Sequence, residues 1–112
     1  MRALLLGLTC FVVQGTALAG DSAKGKEIAE KGASGPPCAS CHGLEGAKPI
    51  APNYPILAGQ YPDYIERALL DYQSGKRANP IMRGIAGPLK KKEIEDVAAW
   101  FSSQQSKLHF QR

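Results

Sequence analysis

The chain has 112 residues, 44% of them hydrophobic and 21% charged, with a formal net charge of +4. That length makes one small domain, marginal on apolar burial alone and of the size that relies on a staple. The basic excess is mild, and no Arg/Lys cluster interleaved with aromatics stands out, which argues against a nucleic-acid partner.

The chain opens with a pattern for export. Arg2 supplies a positive n-region, residues 3–13 form an apolar run broken only by Gly and Thr, and Ala17-Leu18-Ala19 is a small-x-small cleavage site. The run is shorter than the roughly 20 apolar residues of a membrane span, so no stable membrane insertion is expected. Cleavage after Ala19 would leave residues 20–112 as the working domain. It would remove Cys10, leave Cys38 and Cys41 as the remaining thiols, and make Met82 the sole methionine.

Asp21 or Ser22 can cap a first helix running to about residue 31, with Ala23, Ile28 and Ala29 as its buried positions. Gly25 inside it costs about 1 kcal/mol of helix propensity against alanine, through either close backbone approach to another helix or mere tolerance. Residues 32–37 end that helix and lead into Cys38-Ala39-Ser40-Cys41-His42.

Two thiols at a two-residue spacing followed at once by an imidazole form the attachment sequence for c-type haem. The thiols can add across the two vinyl groups of one porphyrin, and the next residue is near enough to place a ring nitrogen on the iron. A structural zinc half-site would need a second ligand pair, which is missing. A redox dithiol usually opens a helix in a βαβ setting, and no strand pattern is present.

Residues 43–59 mix Gly, Pro and Asn with Ile50, Tyr54, Ile56 and Leu57, which predicts an ordered loop. Pro62 suits the first position of a second helix. Ile65, Ala68, Leu69 and Tyr72 then form one apolar stripe, and Gly75 closes the helix, with Lys76 and Arg77 near its negative end. Residues 77–89 contain Pro80, Gly84, Gly87 and Pro88 and read as a second loop, carrying Met82. A last helix over residues 91–105 has Ile94, Val97, Ala98 and Phe101 on one face, with Trp100 widening it. No Ser, Thr or Asp caps it, and Lys90, Lys91 and Lys92 oppose its dipole, so a weak start is expected. The polar tail holds His109. The whole predicts an all-α domain with about three main helices and two long loops around one haem. The sixth position of an iron held by His42 could go to Met82, to His109, or stay open.

The motif with Gly43, the loop Pro52-Asn53-Tyr54-Pro55-Ile56-Leu57-Ala58-Gly59-Gln60, the segment Asn79-Pro80-Ile81-Met82 and the helix through Ala98-Ala99-Trp100-Phe101 resemble a class I cytochrome c. The likeness is strongest to a single half of the bacterial periplasmic dihaem cytochromes c and covers the chain after the leader. With a single CxxCH, this chain would be monohaem. Lys90-Lys91-Lys92 departs from the polar cap and acidic residues common there, which bears on the partner-facing charge and not on the haem. The resemblance implies thioethers at Cys38 and Cys41, His42 as proximal ligand and Met82 as distal ligand. It also implies a proline carbonyl accepting the His42 N–H, with Pro52 the candidate and Pro55 the second choice. Gly25 would admit the face of Trp100 and Phe101. The implied function is a periplasmic one-electron carrier, with a cytochrome complex or dehydrogenase as donor and a terminal oxidase or reductase as acceptor. Lys48, Lys76, Arg77, Arg83 and Lys90, Lys91 and Lys92 are candidates for steering acidic partners. Two other readings are a haem subunit of a larger oxidoreductase and an open-site haem protein acting on peroxide or small ligands.

Overall fold

A computed structural model describes Gly7, Thr9, Cys10 and residues 20–106; the rest of the leader, with its cleavage site, and His109 lie outside the described residues. The described residues contain five helices and no strand: α1 (Ser22–Lys31), α2 (Ala39–His42), α3 (Pro62–Ser74), α4 (Pro80–Ala86) and α5 (Lys91–Ser102). None is long and apolar enough to cross a membrane.

The Asp21 carboxylate opens α1 by accepting the N–H groups of Ala23 and Lys24 at 3.0 and 3.2 Å, donors that a helix start otherwise leaves unpaired. The buried face of α1 is Gly25 and Ala29, with Ile28 partly buried; Ala23, expected inside, is exposed. Gly25 takes that place because α1 lies directly on α5. A Cβ at Gly25 would run into the Asp96 carbonyl oxygen and stand 3.0 Å from Trp100 Cβ. Close helix approach, rather than tolerance, therefore accounts for the glycine. Only the Trp100 half of the expected contact is present. Phe101 turns instead toward Gly46, where a Cβ would lie 2.8 Å from its ring and the backbone has φ 71°.

Asp96 locks this crossing. Its side chain is buried, accepts the Asp21 N–H at 2.7 Å and meets the half-exposed Lys92 ammonium at 3.1 Å. Asp96→Ala would strand a part-buried N–H, and such losses cost about 1–3 kcal/mol. We expect a lower urea midpoint; an unchanged midpoint would show that water replaces the carboxylate without penalty.

Pro62 sits in the first turn of α3, and Gly75 ends it with a left-handed φ of 82°. Ile65, Leu69 and Tyr72 are buried along the expected stripe, each large apolar side chain contributing about 1.5–3 kcal/mol on burial. On α5, Ile94, Val97, Ala98 and Phe101 are buried as a set. The start of α5 is better satisfied than expected, since Glu93 Oε1 accepts the Lys90 N–H at 2.9 Å. The helix ends at Ser102, three residues short of the predicted end.

The clearest departure lies in residues 77–89, where a loop was expected and α4 is found. Asn79 caps it, with Oδ1 accepting the Met82 N–H at 3.1 Å, and Pro80 occupies its first turn. The Gln73 amide ties α3 to the far end of α4 by donating to the Ala86 and Leu89 carbonyls, both at 2.8 Å. The segment 43–59 is the ordered loop predicted. Ile50 N–H donates to Cys41 at 3.0 Å, Leu57 N–H to Gly46 at 2.8 Å, and Gly59 N–H to Phe101 at 2.9 Å.

Candidate haem-binding site

The short helix α2 places Cys38, just before it, and Cys41 three residues apart. Residues at that spacing share one helix face. Both are free thiols, half-buried, and both line a cavity of about 250 Å³. Burial pushes the Cys38 thiol up from its ordinary value, partly offset by a backbone hydrogen bond.

His42, the last residue of α2, is only 6% exposed and lines the same cavity. Its Nδ1 lies 2.9 Å from the Pro55 carbonyl oxygen. A carbonyl can only accept, so Nδ1 carries the proton and Nε2 keeps its lone pair, the arrangement in which a histidine binds a metal. The proline carbonyl is that of Pro55, which lines the cavity, whereas Pro52 lies outside the cavity wall. The physical reason lies in the loop. Its attachments at Ile50 and Leu57 bracket both prolines, and the path between them brings the later carbonyl within hydrogen-bond reach of Nδ1. Tyr54 adds an edge contact to the imidazole, with centroids 6.2 Å apart and planes at 64°.

The opposite elements complete the enclosure. Ile65, Ala68, Leu69 and Tyr72 of α3 and Val97 and Phe101 of α5 line it, so the stripes that made the helices legible in sequence also build the pocket. From α4 come Met82, partly buried against the core, and Ile85, while Asn79 joins the wall beside its capping role. Among the described residues, no group of three or more His, Cys, Asp or Glu side chains comes together to hold a bare ion. Two thiols, one metal-competent imidazole and an apolar slot are the donor set that haem c takes.

The sequence matches the cytochrome c family over residues 22–105. The chain belongs to the cytochrome c family.

It is similar to a thiosulfate dehydrogenase electron acceptor of Stutzerimonas stutzeri, 40% identical over 70% of this chain and 38% of that one. It is also similar to cytochrome c-554(548) of Halomonas halodenitrificans, 37% identical over 78% of this chain and 100% of that one. The solved structure of Acidithiobacillus ferrooxidans cytochrome c4 superposes with a TM-score of 0.68 at 36% identity, covering 73% of this chain and 49% of that one. The chain spans 33–40% of the length of the curated relatives named cytochrome c4 that it matches. As a cytochrome c, it carries covalently bound haem c, with Cys38 and Cys41 the thiols of its CxxCH arrangement, and its family transfers electrons.

The Pro55 carbonyl and the Tyr54 edge contact were the least legible parts of the site. The sequence signal for both was the run of prolines and aromatics after the motif. Arg77, assigned there to the partner-facing surface, also lines the cavity.

Proposed function

We propose that this protein is a periplasmic one-electron carrier whose iron is held between His42 and Met82. The reading rests on one observation: the attachment thiols, the Pro55-anchored imidazole and Met82 all line a single apolar cavity. The surroundings of Met82 support it further. Its backbone N–H is held by Asn79, and its helix is pinned to α3 through Gln73, so its backbone is fixed without a haem ligand being needed to order it. Iron with a histidine and a thioether cycles between Fe(II) and Fe(III) at raised potential, which suits electron transfer rather than small-ligand chemistry.

Met82→Ala tests the ligation. In the exported holoprotein, the weak methionine–ferric charge-transfer band should vanish and the midpoint potential should fall. An unchanged ferric spectrum in the variant would reject Met82 as ligand and return the site to the open reading. The leader supports export, and an intact mass beginning at Gly20 in the periplasmic fraction is its check.

Redox protein partners follow from this role. The relative named a thiosulfate dehydrogenase electron acceptor supports a dehydrogenase as donor. A relative named the cytochrome subunit of sulfide dehydrogenase favours a second reading, in which the domain is a bound subunit. Copurification with a dehydrogenase through gel filtration in high salt would select the subunit over the diffusible shuttle. Lys48, Lys76, Arg83, Lys90, Lys91 and Lys92 are all exposed, as steering of an acidic partner requires.

A further inference from the structure

The helix that carries Met82 is shallowly seated. Of the seven residues of α4 only Ala86 is buried; Met82 and Ile85 are half-buried, and Pro80, Ile81, Arg83 and Gly84 are exposed. Among the described residues, α3 is the only helix whose backbone comes close to it. The Asn79 cap shapes α4 from within the same segment and would travel with it. Among the described residues, the hydrogen bonds that tie residues 79–89 to the rest of the molecule all come from one side chain, Gln73 of α3. Its Nε2 donates to the Ala86 and Leu89 carbonyls, both at 2.8 Å, with the Gly87 carbonyl alongside at 3.5 Å. These acceptors lie at and just beyond the C-terminal end of α4, where a helix leaves carbonyls without an internal partner. Carbonyls only accept, so the amide nitrogen and not its oxygen must face them.

A segment with so little buried surface opens locally at less cost than the whole domain unfolds. Residues 75–78 and 87–88 lie outside the helices and can absorb such a movement. We propose that Gln73 is a positioning residue for the axial ligand: its amide latches α4 shut and so sets how often Met82 leaves the iron. The proposal rests on the reading of Met82 as the sixth ligand. Apolar contact holds α4 near the cavity but gives no direction to its seating, whereas two short hydrogen bonds from one amide fix where its far end lies. With the latch closed, the thioether excludes other ligands and the site stays a carrier. With it released, the sixth position opens to small molecules.

Imidazole, titrated optically into the ferric holoprotein, is the probe. Its apparent affinity scales with the fraction of molecules whose sixth position is open. Gln73→Glu keeps the shape and turns the donor into an acceptor facing two carbonyls. Gln73→Ala removes the group, and it carries the test if the glutamate variant fails to fold. Either should tighten apparent imidazole binding about tenfold or more, the scale of stranding part-buried carbonyls. Gln73→Arg keeps N–H donors, cannot itself bind the iron, and should stay within about threefold of wild type. Gly25→Ala loosens the α1–α5 crossing and controls for lost stability without a lost latch. Being remote from α4, it should move imidazole binding by less than roughly a third as much as Gln73→Ala. Wild-type affinity in Gln73→Glu and Gln73→Ala, or an equal shift in Gly25→Ala, overturns the latch. The methionine–ferric band of wild type without imidazole keeps the two readings apart. Its absence rejects His42/Met82 ligation and the latch with it; its presence with unmoved imidazole affinity in the Gln73 variants rejects the latch alone.

Discussion

A protein carrying Cys38→Ala and Cys41→Ala, and so lacking haem, is expected to be largely unfolded, with no cooperative far-UV thermal transition. The reason is where the cavity sits. Ile65, Ala68, Leu69 and Tyr72 of α3, Met82 and Ile85 of α4, and Val97 and Phe101 of α5 all line it, so without haem those apolar faces lose their filling. At about 24 cal/mol per Å³, an unfilled space of about 250 Å³ costs on the order of 6 kcal/mol. Collapse or water entry would lower that figure. Domains of this size have about 5–15 kcal/mol in total, and small ones lie toward the bottom of the range. Haem thus completes a core that the buried faces of α3 and α5 only begin. A cooperative transition in the double variant would mean that the helices pack well enough around the gap, and the argument would fail.

Gly25→Ala should destabilise the holoprotein by about 3 kcal/mol, the upper end of the overpacking range. Helix propensity alone predicts the opposite sign, a gain of about 1 kcal/mol. The crossing decides the outcome, because the added methyl meets the Asp96 carbonyl, which is backbone and cannot rotate away. Gly84 provides the internal comparison. It lies inside α4 with nothing within 4 Å of where its Cβ would be, so Gly84→Ala should follow propensity and stabilise slightly. Urea midpoints of the two variants, measured with haem attached, should move in opposite directions. A Gly25→Ala protein at or above wild-type stability would show that α1 and α5 can separate at little cost.

These contrasts explain which parts of the molecule could be read from sequence. α1, α3 and α5 were legible because a start signal and an apolar stripe agreed: Asp21 before α1, Pro62 and Gly75 around α3, and the Ile94 to Phe101 face on α5. α4 was not, because seven residues give too few turns for a stripe, and Pro80, Gly84 and Gly87 read as breakers. In place, Pro80 begins the helix, Gly84 is tolerated within it, and the decisive signal was the Asn79 cap. α2 is shorter still. The thiols and His42 were identified from bond chemistry, which needs no fold. The choice between Pro52 and Pro55 depended on the path of a loop set by hydrogen bonds to Cys41 and Gly46, and nothing in the local sequence distinguishes the two. Arg77 was visible as a charge, but its stacking on Tyr72 required the end of α3 to be placed first.

The bond from Asp21 to Asp96 joins residues 75 apart in sequence, and it gives the domain an order of assembly. A chain emerging N-terminus first presents the two thiols long before α5 exists to close against α1. Pairing over such a separation carries a loop-closure penalty and is slow compared with local helix formation. The attachment segment therefore remains reachable on an open chain until the last helix arrives. Closure of α1 on α5 then comes as the last step of assembly.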